Sequence, residues 1–250
     1  MSDEKIIELI KRKGSITVSE LCDAENISES TARRIIAALA EQGKVERYRG
    51  GARFINEYEP SVKLRADLLK EEKWAIAEAA CGLIEKPEPI MLVNSSTVNC
   101  MADFLSLESG HNIVTNSISV LDKIVDSDNT VIMIGGVLNK DEMCLDGPLN
   151  RACLNELRIS KLFFSISGVD TEFGLSDVDM NQTALFQSLF ESSFKRIMLV
   201  DHTKFSQTGL YVIAPLNQVD VIITDSKADP ETIQRLEDKG ISVIVVDVIN

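Results

Sequence analysis

A chain of 250 residues in which 44% of side chains are hydrophobic can bury a sizeable core and has room for a small domain beside a medium one. No apolar run is as long as a membrane span, and the polar, charged start does not read as a signal peptide. The five cysteines (Cys22, Cys81, Cys100, Cys144, Cys153) are scattered and odd in number, with no Cys-x-x-Cys. That pattern predicts reduced thiols in a cytoplasmic protein and argues against a disulfide framework, a zinc site or any other metal centre. The net charge of −13 is unevenly spread. Residues 1–55 hold 10 Lys and Arg against 9 Asp and Glu, whereas residues 56–250 hold 16 against 30. The acidity belongs to the second part, and local patches rather than the sum decide whether phosphates can be neutralised.

In the first part, Ile6, Ile7, Leu9 and Ile10 predict a helix with one apolar face. Thr17 or Ser19 can cap a short second helix running through Cys22 and Ala24. Asn26 suits a tight turn because Asn tolerates left-handed backbone. Ser28 is a good N-cap for a third helix, in which Ala32, Ile35, Ile36 and Leu39 fall on one side and Ser30, Arg33, Arg34 and Ala37 on the other. Gly43 stops this helix. Lys44–Arg49 reads as a strand, and Gly50-Gly51 as the turn of a hairpin. Each feature alone is ordinary. Their order, with a small, basic outward face followed by a basic hairpin, predicts a winged helix-turn-helix that places the third helix in the major groove. The DNA-contacting residues expected are Ser28, Ser30, Thr31, Arg33 and Arg34 from the helix, with Arg47, Arg49 and Arg53 from the wing.

The polar, Pro-punctuated run Asn56-Glu57-Tyr58-Glu59-Pro60-Ser61 marks a boundary, giving domains of 1–57 and 58–250. A helix is expected from about Val62 to Ile84. Thereafter seven Val/Ile/Leu-rich runs, at 89–93, 111–116, 130–136, 161–170, 197–201, 219–225 and 241–248, alternate with helical stretches. Continuous apolar runs imply strands covered on both faces, and the alternation implies a mainly parallel α/β sheet.

Most of these strands end in small or polar residues, and ligands of open α/β sheets bind beyond the strand carboxyl ends. Asn94, Ser95, Ser96 and Thr97 open a helix, where hydroxyls and free N–H groups suit an anion such as phosphate. Gly135 and Gly136 let backbone approach a ligand. Lys204 can meet a phosphate as a point charge. Asn116, Asp170 and Asp201 can take sugar hydroxyls. Any one of these is more simply a cap or a turn; together they predict a shared pocket.

Taken together, Ser28-x-x-Thr31-x-Arg33-Arg34, Arg47-x-x-Gly50-Gly51-Ala52, Thr115-Asn116, Gly135-Gly136, Gly147, Gly168-Val169-Asp170, Gly174-Leu175, Asp201-His202-Thr203-Lys204-Phe205 and Thr224-Asp225 resemble the DeoR-type bacterial transcription regulators over about residues 3–250. The resemblance implies a second domain similar to ribose-5-phosphate isomerases and the CoA-transferase-like fold, sensing a phosphorylated sugar or polyol. It implies a repressor of a sugar operon that binds double-stranded operator DNA as a homo-oligomer, dimer or tetramer, with no cofactor. The family's usual Asp after the first sensor strand is Val93 here, and its Glu before the fifth is Gln182. That thinning of carboxylates implies a weaker or less hydroxylated ligand. The competing readings are an isomerase-like enzyme fused to a binding module and a vestigial domain kept for oligomerisation. Isomerisation needs a positioned base near a carbon acid, and the lost carboxylates favour the regulator.

Overall fold

The structure, a computed structural model, describes residues 5–7, 9–10, 15–41, 44–48, 50–54 and 61–248, with the backbone alone for Ser15, Glu46, Tyr48, Arg53, Phe54, Met180, Asn181 and Ser206. The chain divides into two compact units, residues 1–61 and 62–250. The predicted boundary at Asn56–Pro60 lies outside the described residues.

In the first unit residues 5–7 and 9–10 are helical, and Ile6 and Ile10 are fully buried. Strand β1 (Ser15–Thr17) is an addition to the expected pattern. It pairs antiparallel with β3 (Gly51–Phe54), which in turn pairs with β2 (Val45–Tyr48). Thr17, not Ser19, caps α1 (Val18–Glu25): its Oγ1 accepts from Glu20 N, and the Glu20 carboxylate takes Thr17 N in return, which closes a capping box. Asn26 ends α1 in the left-handed conformation, φ 52° and ψ 51°, and α2 (Glu29–Glu41) follows. Gly43 lies outside the described residues. Gly51 is not a turn residue. It sits in β3 opposite both Tyr48 and Thr17, while Gly50 takes the positive φ of 106° that hairpin turns require. Ile16, Leu21, Ala32, Ile36, Leu39, Val45 and Ala52 close the core of this unit.

The second unit opens with two helices where one was expected. α3 (Val62–Asp67) and α4 (Lys70–Cys81) are separated by Leu68 and by Leu69, whose φ of 50° breaks the helical path. The buried Lys73 Nζ donates to the carbonyls of Arg65 and Leu68, which satisfies acceptors that the break leaves open.

All seven expected strands form: β4 (Pro89–Leu92), β5 (Asn112–Thr115), β6 (Thr130–Met133), β9 (Ile159–Phe164), β12 (Ser193–Leu199), β14 (Val221–Asp225) and β15 (Ser242–Val246). They pair in parallel in the order β15-β14-β12-β9-β4-β5-β6. Alternate residues leave the sheet on opposite faces. Met91, Leu162, Phe164, Met198 and Ile222 meet α8 (Met180–Ser192) and its neighbours, whereas Ile90, Leu92, Phe163, Ile197 and Ile223 meet α4, α5 (Val98–Leu105) and α6 (Ile118–Ile124). Phe164, Phe186 and Phe190 form an aromatic triangle with centroids 5.2–6.0 Å apart.

Two antiparallel pieces complete the unit. β7 (Val137–Asn139) pairs with β8 (Cys144–Asp146), and β10 (Gly168–Asp170), β11 (Gly174–Asp177) and β13 (Tyr211–Ala214) form a small sheet. The expected fourth strand, 161–170, is therefore two strands in two sheets. The strand order reverses between β4 and β9. From β4 the chain steps outward through β5 and β6, and from β9 it steps the other way through β12, β14 and β15. Such a reversal opens a crevice at the strand carboxyl ends.

Candidate functional site

In the first unit Ser28 starts α2 as expected. Its carbonyl accepts from Ala32 N at 2.9 Å and its Oγ from Thr31 N at 3.3 Å. The hydroxyls of Ser30 and Thr31 gather around Ser28 Oγ at 3.0 and 2.9 Å. Arg33 and Arg34 project from the exposed face one turn further on. Arg33 reaches Glu29 only at 3.6 Å, with both side chains solvent-exposed. Arg47 is exposed in β2 opposite Ala52. Arg49 lies outside the described residues, and Arg53 is placed in β3 by its backbone alone.

In the second unit the segment after β4 enters the crevice between β4 and β9. Val93 N donates to Phe163 O, and the Val93 side chain joins the apolar cluster on one sheet face. Asn94 is the hub of a buried amide network. Its N–H donates to Asn116 Oδ1 at 2.9 Å, and its Oδ1 accepts from Ser117 Oγ at 2.8 Å and Asn99 Nδ2 at 3.2 Å. Its Nδ2 donates to Glu142 O at 2.9 Å. Asn116 is fully buried and also holds Leu145 O, so it positions Asn94 and the β7–β8 hairpin and has no exposed surface for a ligand. Ser95 Oγ accepts from Val98 N at the start of α5, while the hydroxyl of Thr97, the N-cap, makes no capping bond.

The other strand-end residues fall into separate places. Asp201 is buried and holds Thr203 through its N–H and its hydroxyl, which starts the short 3-10 turn that carries Lys204. Burial depresses the Lys73 ammonium below the usual lysine range; the charges of Asp201 and Cys100 oppose that, and Lys204 adds to it. Cys100 in turn donates to Ser96 O.

Gly135 is open, but Gly136 is not a point of ligand approach. A Cβ there would lie 2.2 Å from Asp146 O, so the residue is glycine because the β8 backbone passes against it. Asp170 does not join the crevice. It caps its own turn, accepting from Glu172 and Phe173 N–H groups that hold its carboxyl below the usual range. Glu172 on that turn meets Lys239 at 3.5 Å. Lys239 follows α9 (Pro230–Asp238) and precedes β15, which puts Asp170 at the amino end of the sheet.

Several groups escaped the sequence reading. The β7–β8 hairpin brings the Glu142 carbonyl to Asn94 and Leu145 to Asn116, with Asp146 next along the strand. Asp146 lies 3.5 Å from Gln182 Nε2, and burial pushes its carboxyl above the usual range. Asp225, fully buried, accepts from His202 N at 2.8 Å and His202 Nδ1 at 2.9 Å. Arg65 on α3 makes a bidentate pair with Glu142. The strand-end position of Asp225 was the only signal available for any of these, because the rest are joined by loops far apart in the chain. Among the described residues no group of three or more His, Cys, Asp or Glu side chains is arranged to hold a metal, and no helix is long and apolar enough to cross a membrane.

A helix-turn-helix with a strand wing, followed by a three-layer α/β unit, defines a DNA-binding transcription regulator with a sensor unit of its own. The chain belongs to the DeoR family: the DeoR-like helix-turn-helix domain matches residues 3–58, and the DeoR C terminal sensor domain matches residues 69–226. An uncharacterised HTH-type transcriptional regulator of Bacillus subtilis (strain 168), YulB, is 32% identical over 97% of this chain and 95% of its own. The HTH-type transcriptional repressor GlcR of the same organism is 28% identical over 97% and 94%. Among solved structures, a D-ribose-5-phosphate isomerase in complex with phospho-erythronic acid is similar over 54% of each chain at 17% identity and a TM-score of 0.41, too distant a likeness to carry an assignment.

Proposed function

We propose that this protein is a cytoplasmic repressor of genes for sugar or polyol use, which binds its operator as a homo-oligomer, dimer or tetramer, and is released by a phosphorylated sugar. Repression follows the name of the relative GlcR. Ser28, Ser30, Thr31, Arg33 and Arg34 would enter the major groove, while Arg47, Arg49 and Arg53 would meet phosphates or the minor groove. Paired half-sites need paired heads, which is the reason for an oligomer.

The observation that carries the ligand reading is the segment Asn94–Thr97 at the point where the strand order reverses. The N–H groups of Ser95, Ser96 and Thr97 and the Thr97 hydroxyl are suited to a phosphate, with Lys204 as counter-charge. Asn94, bound to Asn116, shapes the floor. Asp146, rather than Asp170, would accept sugar hydroxyls. With Val93 apolar and Gln182 an amide, the site lacks the carboxylate pair of an isomerase, and no turnover of a bound sugar phosphate is expected.

A ligand that binds the native state raises its stability, by about 2.7 kcal/mol at a hundredfold excess over Kd. Melting temperatures against ribose 5-phosphate, fructose 6-phosphate, glucose 6-phosphate and other sugar phosphates are expected to single out one class. Lys204→Ala should erase that shift. No shift with any sugar phosphate at millimolar concentration would leave the unit as an oligomerisation domain.

A further inference from the structure

Helix α3 starts where the first unit ends, at Ser61. At six residues it is too short to persist on its own propensity, so its attachments decide where it lies. Val62 is buried, and Arg65 is held twice. Its guanidinium meets Glu142 through Nη1–Oε1 at 3.0 Å and Nη2–Oε2 at 2.6 Å, with both side chains more than four-fifths buried. Its carbonyl, with that of Leu68, accepts from the buried Lys73 Nζ.

Each hold leads to a different edge of the proposed ligand site. Glu142 N is fixed by Asn139 Oδ1 at 3.1 Å, and Glu142 O receives Asn94 Nδ2 at 2.9 Å. Lys73 lies within electrostatic reach of Asp201 and Lys204. A phosphate lodged between Ser95–Thr97 and Lys204 would draw on both edges at once. Beyond α3, Leu69 occupies a left-handed conformation that a branched side chain rarely adopts, the kind of strained joint found at switch regions.

We propose that the Arg65–Glu142 clamp is the coupling element of the protein: ligand at the strand ends alters the hold on α3 and thereby the segment that leads into the DNA-binding unit. This rests on the ligand reading above and deepens it. Coupling requires an element whose two arrangements are biased by both sites, and the proposal assigns that part to the bidentate pair that joins this short helix to the β7–β8 hairpin.

The test uses the full chain, a duplex it selects from a random DNA pool, and the sugar phosphates named above. In the natural protein, a sugar phosphate that raises the melting temperature should weaken DNA binding by about 5- to 150-fold. Glu142→Gln and the milder Arg65→Lys should keep both the melting shift and the ligand-free DNA affinity, yet lose most of that weakening. Exchanging the partners, Arg65→Glu with Glu142→Arg, should restore part of it, which a general loss of structure would not. Undiminished weakening in Glu142→Gln overturns the proposal. If no sugar phosphate shifts the natural protein, the ligand reading has failed separately. The clamp is then judged by Arg65→Ala and Glu142→Ala, which remove the hold on α3 altogether: a changed DNA affinity that the two variants share without adding supports it, and an unchanged affinity in both overturns it.

Discussion

Arg33 and Arg34 stand on an exposed helix face, and the ion-pair neighbour of Arg33 among the described residues is the solvent-screened Glu29 one turn away, an interaction worth little to folding. Asn94, Asn99, Asn116 and Ser117 are the opposite case, since they lie in the second unit with their donors and acceptors spent on one another and on nearby carbonyls. The first surface is polar and unspent, so a partner can supply what it lacks. The second is polar and satisfied, so it holds a shape. Residues of the first kind can be removed with little cost to folding and a large cost to recognition, and those of the second kind the reverse.

The sharpest way to break that contrast is Asn116→Ala. It strands Asn94 N inside the unit, at about 1–3 kcal/mol for a buried donor left unpaired, while Leu145 O keeps its bond from Asn150 Nδ2 at 2.7 Å. Thermal or urea unfolding should show a loss of several degrees, and an unchanged midpoint would mean that water replaces the amide. Arg34→Ala should do the converse. A bidentate arginine–guanine contact discriminates by about 1–3 kcal/mol, so selection from a random pool should lose its preference at one position while the melting temperature stays put. A variant that still selects the same site would place Arg34 off the bases.

The same contrast explains what could be read before the fold was known. The helix-turn-helix is contiguous, and each of its devices is local: Thr17 and Ser28 as caps, Asn26 in left-handed backbone, Ala32, Ile36 and Leu39 on one face. The seven parallel strands were legible because each is a run of apolar residues, buried on both faces in central strands such as β4, β9 and β14 and partly exposed in the edge strands β6 and β15. The strand-end site was only half legible. Asn94–Thr97 and Lys204 declare themselves by following strands, but Glu142 and Asp146 arrive on a hairpin with no strong pattern of its own. Gly136 and Asp170 misled for the same reason in reverse. A glycine demanded by neighbouring backbone and an aspartate capping its own turn look, in sequence, like ligand contacts. The break at Leu69 was illegible because the compensating group, Lys73, comes from the following helix.

A smaller effect distinguishes the two parts of the DNA-binding unit. Arg47 on β2 is expected to touch phosphate, not a base edge. Arg47→Ala should therefore weaken binding to all sequences alike and lower the slope of log affinity against log salt by about one unit. A changed sequence preference with an unchanged slope would move the wing residue into the groove.

The smallest effect expected concerns Asp146, where the contrast between spent and unspent polar groups is least clean. Its carboxylate accepts from Asn139 Nδ2 at 3.2 Å and Cys144 Sγ at 3.4 Å. Those bonds favour the charged form, but burial, with Asp179 nearby, outweighs them and raises the pKa above that of an ordinary aspartate. The native state therefore keeps its proton to a higher pH than the unfolded chain does. The stabilising contribution is whole below the unfolded value, near pH 4, and is lost as pH rises through the raised native value. Above it the protein carries a poorly solvated charge that folding alone does not reward. Asp146→Asn removes the titration, so it should be slightly more stable than the natural protein at pH 7, with the gain closing as the pH falls toward 4. If Asp146 takes sugar hydroxyls, that same variant should bind the sugar phosphate more weakly at pH 7 while melting higher without it. A gain independent of pH would show that the charge carries no folding cost, and unaltered binding would remove Asp146 from the ligand site.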